Sequence, residues 1–445
     1  MRMPAYLSNF RDCRYSLGGL SIDGPNSANY TAGRPIGSPS QGHWRYSDLP
    51  ETAEVVVIGA GVVGCSVAYY LAREGVAVAL LEREAIGSGA SAHATGSLSL
   101  LGAEFSPGAS FAIARASYAE FPQIVPELES ATGMDLLYQR RPSLRLALDD
   151  DEADLIKSLM VWQQPHVTMR WIDAREVHAI EPRLSPSIVG GVYEEESAQL
   201  DSYRLNLALA QAAELKGAAI LNREVIGLVA SGSTISGVKT ASGDMHCGSV
   251  VVAAGTWSRA FTPWLDFPVP VRPMKGERLL LNYPGDPLPA LISSPRRGHM
   301  ISRLDGLTSV GSTGGRDYDQ KELFLGENFD RQPTESARLE LLRRAIDVLP
   351  DLERAELVQQ LAGSRPLSPD SKPIIGPVPG RDGVFLATGH TTKGIHLGPI
   401  TGRIIADYIC RGSTQVVSDM SEFLPDRFAD FADGDFLANV PPVEE

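Results

Sequence analysis

The chain has 445 residues, 40 Lys+Arg against 54 Asp+Glu, a net charge of −14 and a pI of about 5.1. This acidic balance leaves no material for a broad basic face, so neither nucleic acid nor an anionic membrane surface is an expected partner. A hydrophobic fraction of 43% with 21% charged residues is ordinary globular composition, and the length suits about two or three domains.

Residues 1–52 are dense in Gly, Pro, Ser and Asn and show neither helical nor strand periodicity. They read as a disordered leader or, alternatively, as an arm anchored by Tyr6, Phe10, Tyr15, Trp44 and Tyr46. The first residues lack the basic-then-apolar layout of a secretory signal, and no apolar run approaches the roughly 20 residues of a membrane span. Cys13, Cys65, Cys247 and Cys410 are too scattered for a zinc site or a disulfide framework, and no metal is expected. A cytoplasmic setting follows as the expectation.

Ordered structure is expected from Glu54. The β-branched run ending at Ile58 is a strand buried on both faces, a helix runs from Val62 to Arg73 with Gly75 as its stop, and VAVALLE is the next strand. Between the first strand and helix stands Gly59-Ala60-Gly61-Val62-Val63-Gly64, which matches G-x-G-x-x-G. The first glycine allows the tight turn, the second lets backbone approach a pyrophosphate, and the third permits close helix–strand packing. Glu82 ends the second strand, where an acid accepts hydrogen bonds from ribose hydroxyls and disfavours a 2′-phosphate. A dinucleotide is therefore expected, with NADP disfavoured.

Further helices are predicted at Ser110–Leu128, Asp149–Trp162, Tyr203–Lys216 and, with Thr334 as its N-cap, up to Val348. Strands are predicted at Ala219–Leu221, Gly248–Ala254, Arg278–Asn282 and Leu307–Gly311. Near the end, Gly383–His390 reads as strand and turn opening a helix over Gly398–Ile409. The acidic tail beyond Asp419 is expected at the periphery.

The stretches VVVIGAGVVG…LLERE, VVVAAGTWS and GSRPLSPDSKPIIGPVPGRDGVFLATGHTTKGIHLGPITG together resemble the D-amino-acid-oxidase-like (DAO) superfamily of FAD enzymes, which includes glycine oxidase, sarcosine oxidase and dimethylglycine dehydrogenase. The resemblance implies an α/β fold in which a Rossmann-like FAD-binding domain with a parallel sheet is interleaved with an α+β substrate domain carrying a mixed or antiparallel sheet. The first would comprise residues 53–104, 185–260 and 361–430, the second 105–184 and 261–360, leaving a 1–52 extension and a 431–445 tail.

Residue by residue, the resemblance implies that FAD is held by Gly59, Gly61, Val63, Gly64, Glu82 and Arg83 at the first crossover. Ser91, His93, Ala94 and Thr95 in the small-residue loop would follow, then Val225, Ala254, Gly255 and Trp257, and finally Gly389, Lys393, Gly394 and Ile395. Arg365 falls where relatives keep the arginine for the substrate carboxylate, and Lys393 where sarcosine oxidase has a carboxylate lysine. His390 is the third catalytic candidate, with hydrogen-bonded scaffolding as its alternative. His93-Ala94-Thr95-Gly96 resembles the H-A-x-G of dimethylglycine dehydrogenase, whose histidine is joined to the flavin, but Ala92 stands where that family has tryptophan. Covalent attachment through His93 and simple packing against the flavin both stay open.

The implied activity is FAD-dependent oxidation of the CH–NH bond of an amino acid or N-substituted amino acid, with oxygen or another carrier as electron acceptor. The alternatives are a 2-hydroxy-acid or polyol-phosphate dehydrogenase and a flavoprotein subunit of a hetero-oligomer. A self-associating oligomer is also compatible.

Overall fold

The computed structural model of the chain describes residues 51–101, 105–313 and 329–436. The leader lies outside them except for Glu51 and Thr52, as does the tail beyond Phe436.

Val55–Ile58 pairs in parallel with Val78–Glu82 on one side and Ser249–Val252 on the other. With neighbours on both edges, every one of its side chains is buried, which accounts for its unbroken Val/Ile sequence. The sheet has six strands in the order Ile374–Pro377, Val384–Thr388, Ser249–Val252, Val55–Ile58, Val78–Glu82 and Ala219–Asn222. All neighbours are parallel except the pair Ile374–Pro377 and Val384–Thr388. A meander of Val225–Ser231, Thr234–Thr240 and Gly243–His246 is inserted before Ser249.

The first helix, Val62–Arg73, shares one core with Ala109–Thr132, Ser202–Leu215 and the closing helix Gly394–Arg411. The closing helix begins a turn before its expected start at Gly398. The reason is contact: a Cβ at Gly398 would lie 2.9 Å from Val62 Cγ2 and one at Gly402 2.5 Å from the Ser66 carbonyl carbon, so these glycines let the two helices pack closely instead of ending a helix. Ala109–Thr132 likewise runs past its expected end at Leu128, through Pro122 and Pro126, until Gly133 adopts φ +69°. Asp149, Asp201 and Thr334 cap their helices by accepting from the backbone N–H three residues on.

The second sheet has eight strands in the order Glu356–Leu367, Arg272–Asn282, Thr308–Gly311, Gly298–Ser302, Leu291–Ser294, Ser143–Ala147, Gly190–Glu194 and Met169–Asp173. One of its faces buries Leu144, Leu146, Leu279, Leu281, Ile292, Met300 and Val310 with Leu341 and Ala345 of the helix Glu335–Val348. By the alternation of strands, the residues between these point the other way. Two segments assigned above to the first domain begin with strands of this sheet, Gly190–Glu194 and Glu356–Leu367, while Ala109–Thr132 packs against the first sheet's helices. The tail is not peripheral throughout: Phe423 is in the main core, and Phe436 packs with Met274 and Leu367. No described helix is long and apolar enough to cross a membrane.

Candidate active site

At the glycine turn the backbone leaves no room for other residues. Gly59 has φ +101°, and a Cβ there would sit 2.6 Å from the Ala253 oxygen. A Cβ on Gly64 would sit 1.9 Å from the Gly59 oxygen. Gly61 is the N-cap of the first helix and offers no side-chain acceptor to its amides. The Val62 N–H donates to Ser91 Oγ at 3.0 Å, which ties the small-residue loop to the helix start. Glu82 accepts the Ala60 N–H at 2.8 Å and the Glu84 N–H at 2.8 Å, so the acid at the strand end is fixed beside the turn. Asn206 donates to the Ala60 oxygen at 3.1 Å from the opposite side. Trp257 is flanked by the Arg83 and Arg331 guanidiniums, 4.8 and 5.4 Å from its ring, and stacks on Phe329 at 5.6 Å.

From this turn a cavity of about 670 Å³ runs between the two sheets to the start of the closing helix. Its far end is cationic. Arg365 lies across Gly276, where a Cβ would be 2.3 Å from its guanidinium carbon, and its Nη1 donates to the Thr313 oxygen at 3.0 Å. Lys393 is the N-cap of the closing helix, and its buried Nζ donates to the Ser371 oxygen at 2.8 Å. No acid occupies that helix's first turn, so its N-terminal amides face the cavity uncompensated by a carboxylate of their own.

The histidines of this region are held neutral. Burial and the Lys393 charge push His390 down to about 3, and its Nε2 lies 3.0 Å from Thr401 Oγ1. Burial pushes His396 to about 4, with Nε2 donating to the Ala114 oxygen at 2.9 Å. His93 is pushed to about 4 by burial and by the neighbouring Arg278. Its Nδ1 is enclosed and has no hydrogen-bond partner. Arg278 donates to the His93 oxygen at 2.7 Å and to Ser309 Oγ at 3.1 Å, and burial lowers its own pKa to about 10.

Of the residues expected to hold FAD, all line this cavity except Gly64 and Gly389. Gly64 serves helix–strand packing. Gly389 makes the closing turn at φ +72°, with the space of a side chain taken by Ile374 and Ser368. Arg365, Lys393 and His390 also line it, with the His390 ring turned to Thr401 as a neutral strut. The motifs did not point to Arg145, Arg278 or His299, whose Nε2 lies 2.7 Å from Thr95 Oγ1. The signal available for Arg278 was a charge inside the apolar alternation of RPMKGERLLLN.

These features fit FAD. The cradle that only glycine can form suits a pyrophosphate, and the fixed Glu82 suits the adjoining ribose. The elongated cavity leads to an unpartnered His93 nitrogen and a helix N-terminus, the surroundings an isoalloxazine ring requires.

A family model described as FAD dependent oxidoreductase (DAO) matches residues 54–408. The glycine oxidase of Geobacillus kaustophilus is 30% identical over 366 residues, covering 81% of this chain and 94% of that protein. That of Pseudomonas aeruginosa is 33% identical over 357 residues, covering 79% and 93%. The solved glycine oxidase of Bacillus cereus superposes with a TM-score of 0.74 at 32% identity, over 81% of this chain and 96% of that one. The chain belongs to the DAO family of FAD-dependent oxidoreductases.

Proposed function

We propose that this flavoenzyme oxidises the CH–NH bond of an amino acid or N-substituted amino acid to an imine, which water then hydrolyses. The observation that carries this reading is that two cationic side chains, Arg365 and the helix N-cap Lys393, line the same cavity as the nucleotide turn. The glycine oxidases it resembles support the same substrate class.

When bound, FAD supplies the hydride acceptor. Arg365 is the group to grip the substrate carboxylate, since a planar guanidinium can bind both oxygens at once. Lys393 adds positive charge that favours the neutral amine, whose lone pair forms the C=N bond as hydride leaves. The reaction then needs no protein base, which accords with a His390 that is neutral and hydrogen-bonded to Thr401. The N-terminal amides of Gly394 and Ile395 would stabilise negative charge on a group bound beside them.

The test is bleaching of the bound flavin without oxygen, across amino acids, N-methyl amino acids, 2-hydroxy acids and glycerol phosphate. Bleaching by the amines, with a 2-oxo acid as product, supports the reading; bleaching by the hydroxy compounds alone overturns it. Admitting air then tests oxygen as acceptor through peroxide formation. Turnover by the isolated chain supports an enzyme complete in itself over a subunit of a larger assembly.

The enclosed, unpartnered Nδ1 of His93 supports a covalent tether to the cofactor. Acid precipitation decides it, because a tethered flavin stays with the pellet and a free one enters the supernatant. The described cysteines Cys65, Cys247 and Cys410 form no disulfide, which supports the reducing cytoplasm as the setting.

A further inference from the structure

Register fixes which residues of the second sheet look into the cavity. Arg278 pairs with Gly311, Gly311 with His299, His299 with Ser293, and Ser293 with Arg145. Residues directly opposite one another share a face, so these side chains form a row on the face opposite the apolar one packed on the helix Glu335–Val348. Arg278 reaches from this row to the small-residue loop, where its Nε donates to the His93 oxygen at 2.7 Å. On the same face of its strand, two residues and about 7 Å away, stands Gly276, over which the Arg365 guanidinium lies. A Cβ on Gly363, the strand partner of Gly276, would lie 3.2 Å from His93 Cβ. Arg278 is thus placed between the loop expected to meet the flavin and the arginine expected to hold the substrate.

This guanidinium is a charge without an acid. It is only 5% exposed, and its two bonds go to neutral oxygens, the His93 carbonyl and Ser309 Oγ. Among the described residues no carboxylate touches it, and its Nη2 has no protein partner although the residue lines the cavity. Glu277, its neighbour in sequence, turns to Thr334 and Gln360 instead. Asp201 and Asp305, the acids whose charge reaches it through space, are both bonded to Arg303. Burying a charge is costly unless an opposite charge meets it. A neutral donor would serve to hold the loop, so the charge itself calls for a use.

Taking a hydride brings two electrons and one proton to the flavin, all given up by the donor, and leaves the ring with one more negative charge. We propose that Arg278 is the fixed counter-charge for that negative charge and so raises the reduction potential of the bound flavin. Its two bonds hold it in place and its burial keeps water from screening it. The inference goes beyond the proposed function, because it holds for an amine or a hydroxy-acid donor alike.

The test is the flavin potential of the intact FAD-loaded protein, read from its absorption during slow reduction beside a dye of known potential, with no substrate present. Arg278→Met should shift the balance towards the oxidised form about ten- to a hundredfold, the effect of losing one nearby opposite charge. That is a fall of about 30 to 60 mV, at about 30 mV per tenfold for two electrons. Arg278→Gln, which keeps a donor but loses the charge, should fall with it, while Arg278→Lys should hold most of the unaltered value. A potential unmoved by Arg278→Met, or lowered as far by Arg278→Lys, would overturn the inference and leave Arg278 a strut for the His93 loop. If neither uncharged variant keeps flavin, the unaltered protein decides: its potential should lie above that of free FAD, and a value at or below it overturns the inference. Because no substrate is present, an unmoved potential sinks this inference alone, whereas bleaching by hydroxy compounds alone sinks the proposed function and leaves this one standing.

Discussion

At the glycine turn, recognition is made by backbone: Gly59 and Gly64 are excluded from bearing side chains by atoms 2.6 and 1.9 Å away, and the acid at the strand end is bonded to the turn itself. At the sheet end the cavity is lined instead by side chains from several strands, Arg145, Arg278, His299 and Arg365, placed by cross-strand register. The first arrangement is rigid and tolerates no substitution, so it serves a ligand that does not vary. The second can be altered one residue at a time without disturbing the sheet, which is what a substrate pocket needs in order to diverge.

The largest effect that could break this contrast is Gly64→Ala. With the Gly59 oxygen 1.9 Å from the new methyl group, the turn cannot persist, and purified protein should carry no flavin by absorbance. Retention of a full complement of FAD would show that the turn is more pliant than its contacts allow.

Acid should act on the opposite end. His93, His390 and His396 are lowered to about 4, 3 and 4 in the folded chain, against an ordinary value near 6.5. The unfolded chain therefore binds more protons below about pH 6.5, and stability falls as pH drops from there towards 4. Each histidine contributes at most about 1.4 kcal/mol per pH unit. Urea unfolding at pH 7 and pH 5.5 should differ by several kcal/mol, roughly, on this account, and His396→Asn should flatten the slope. An unchanged slope would dismiss burial of neutral histidine as its cause.

Arg365→Ala sharpens the contrast from the substrate side. It should leave FAD bound and lower kcat/KM by roughly a hundredfold, about 3 kcal/mol, chiefly through KM. Loss of flavin instead would make Arg365 part of the cofactor end. The smallest expected change is Arg331→Ala, which removes one of the guanidiniums beside Trp257 and should weaken FAD binding by only about three- to fivefold in a dialysis titration.

The glycine turn, Glu82 and the closing turn were legible because each is local: a few consecutive residues determine backbone shape and ligand contact together. The first helix was read to its ends for the same reason. The closing helix was read a turn short because Gly394 and Gly398 look like breakers until the first helix is seen against them. The strands Ser143–Ala147, Leu291–Ser294 and Gly298–Ser302 passed unnoticed, being only four or five residues long and mixed in polarity. With them went the row of Arg145, Ser293 and His299, since no spacing along the chain encodes which strands become neighbours. His390 stood out by its motif, yet its bond to Thr401 is visible only once the helix is built.

The contact of Gly398 and Gly402 with Val62 and Ser66 joins an early helix to a late one. During synthesis the nucleotide turn emerges early, but the helix that closes the cavity leaves the ribosome only after most of the chain has been made. Loading of the cofactor is thus a late step, and a nascent chain stalled before Gly394 would carry a cradle with no lid to keep what it catches.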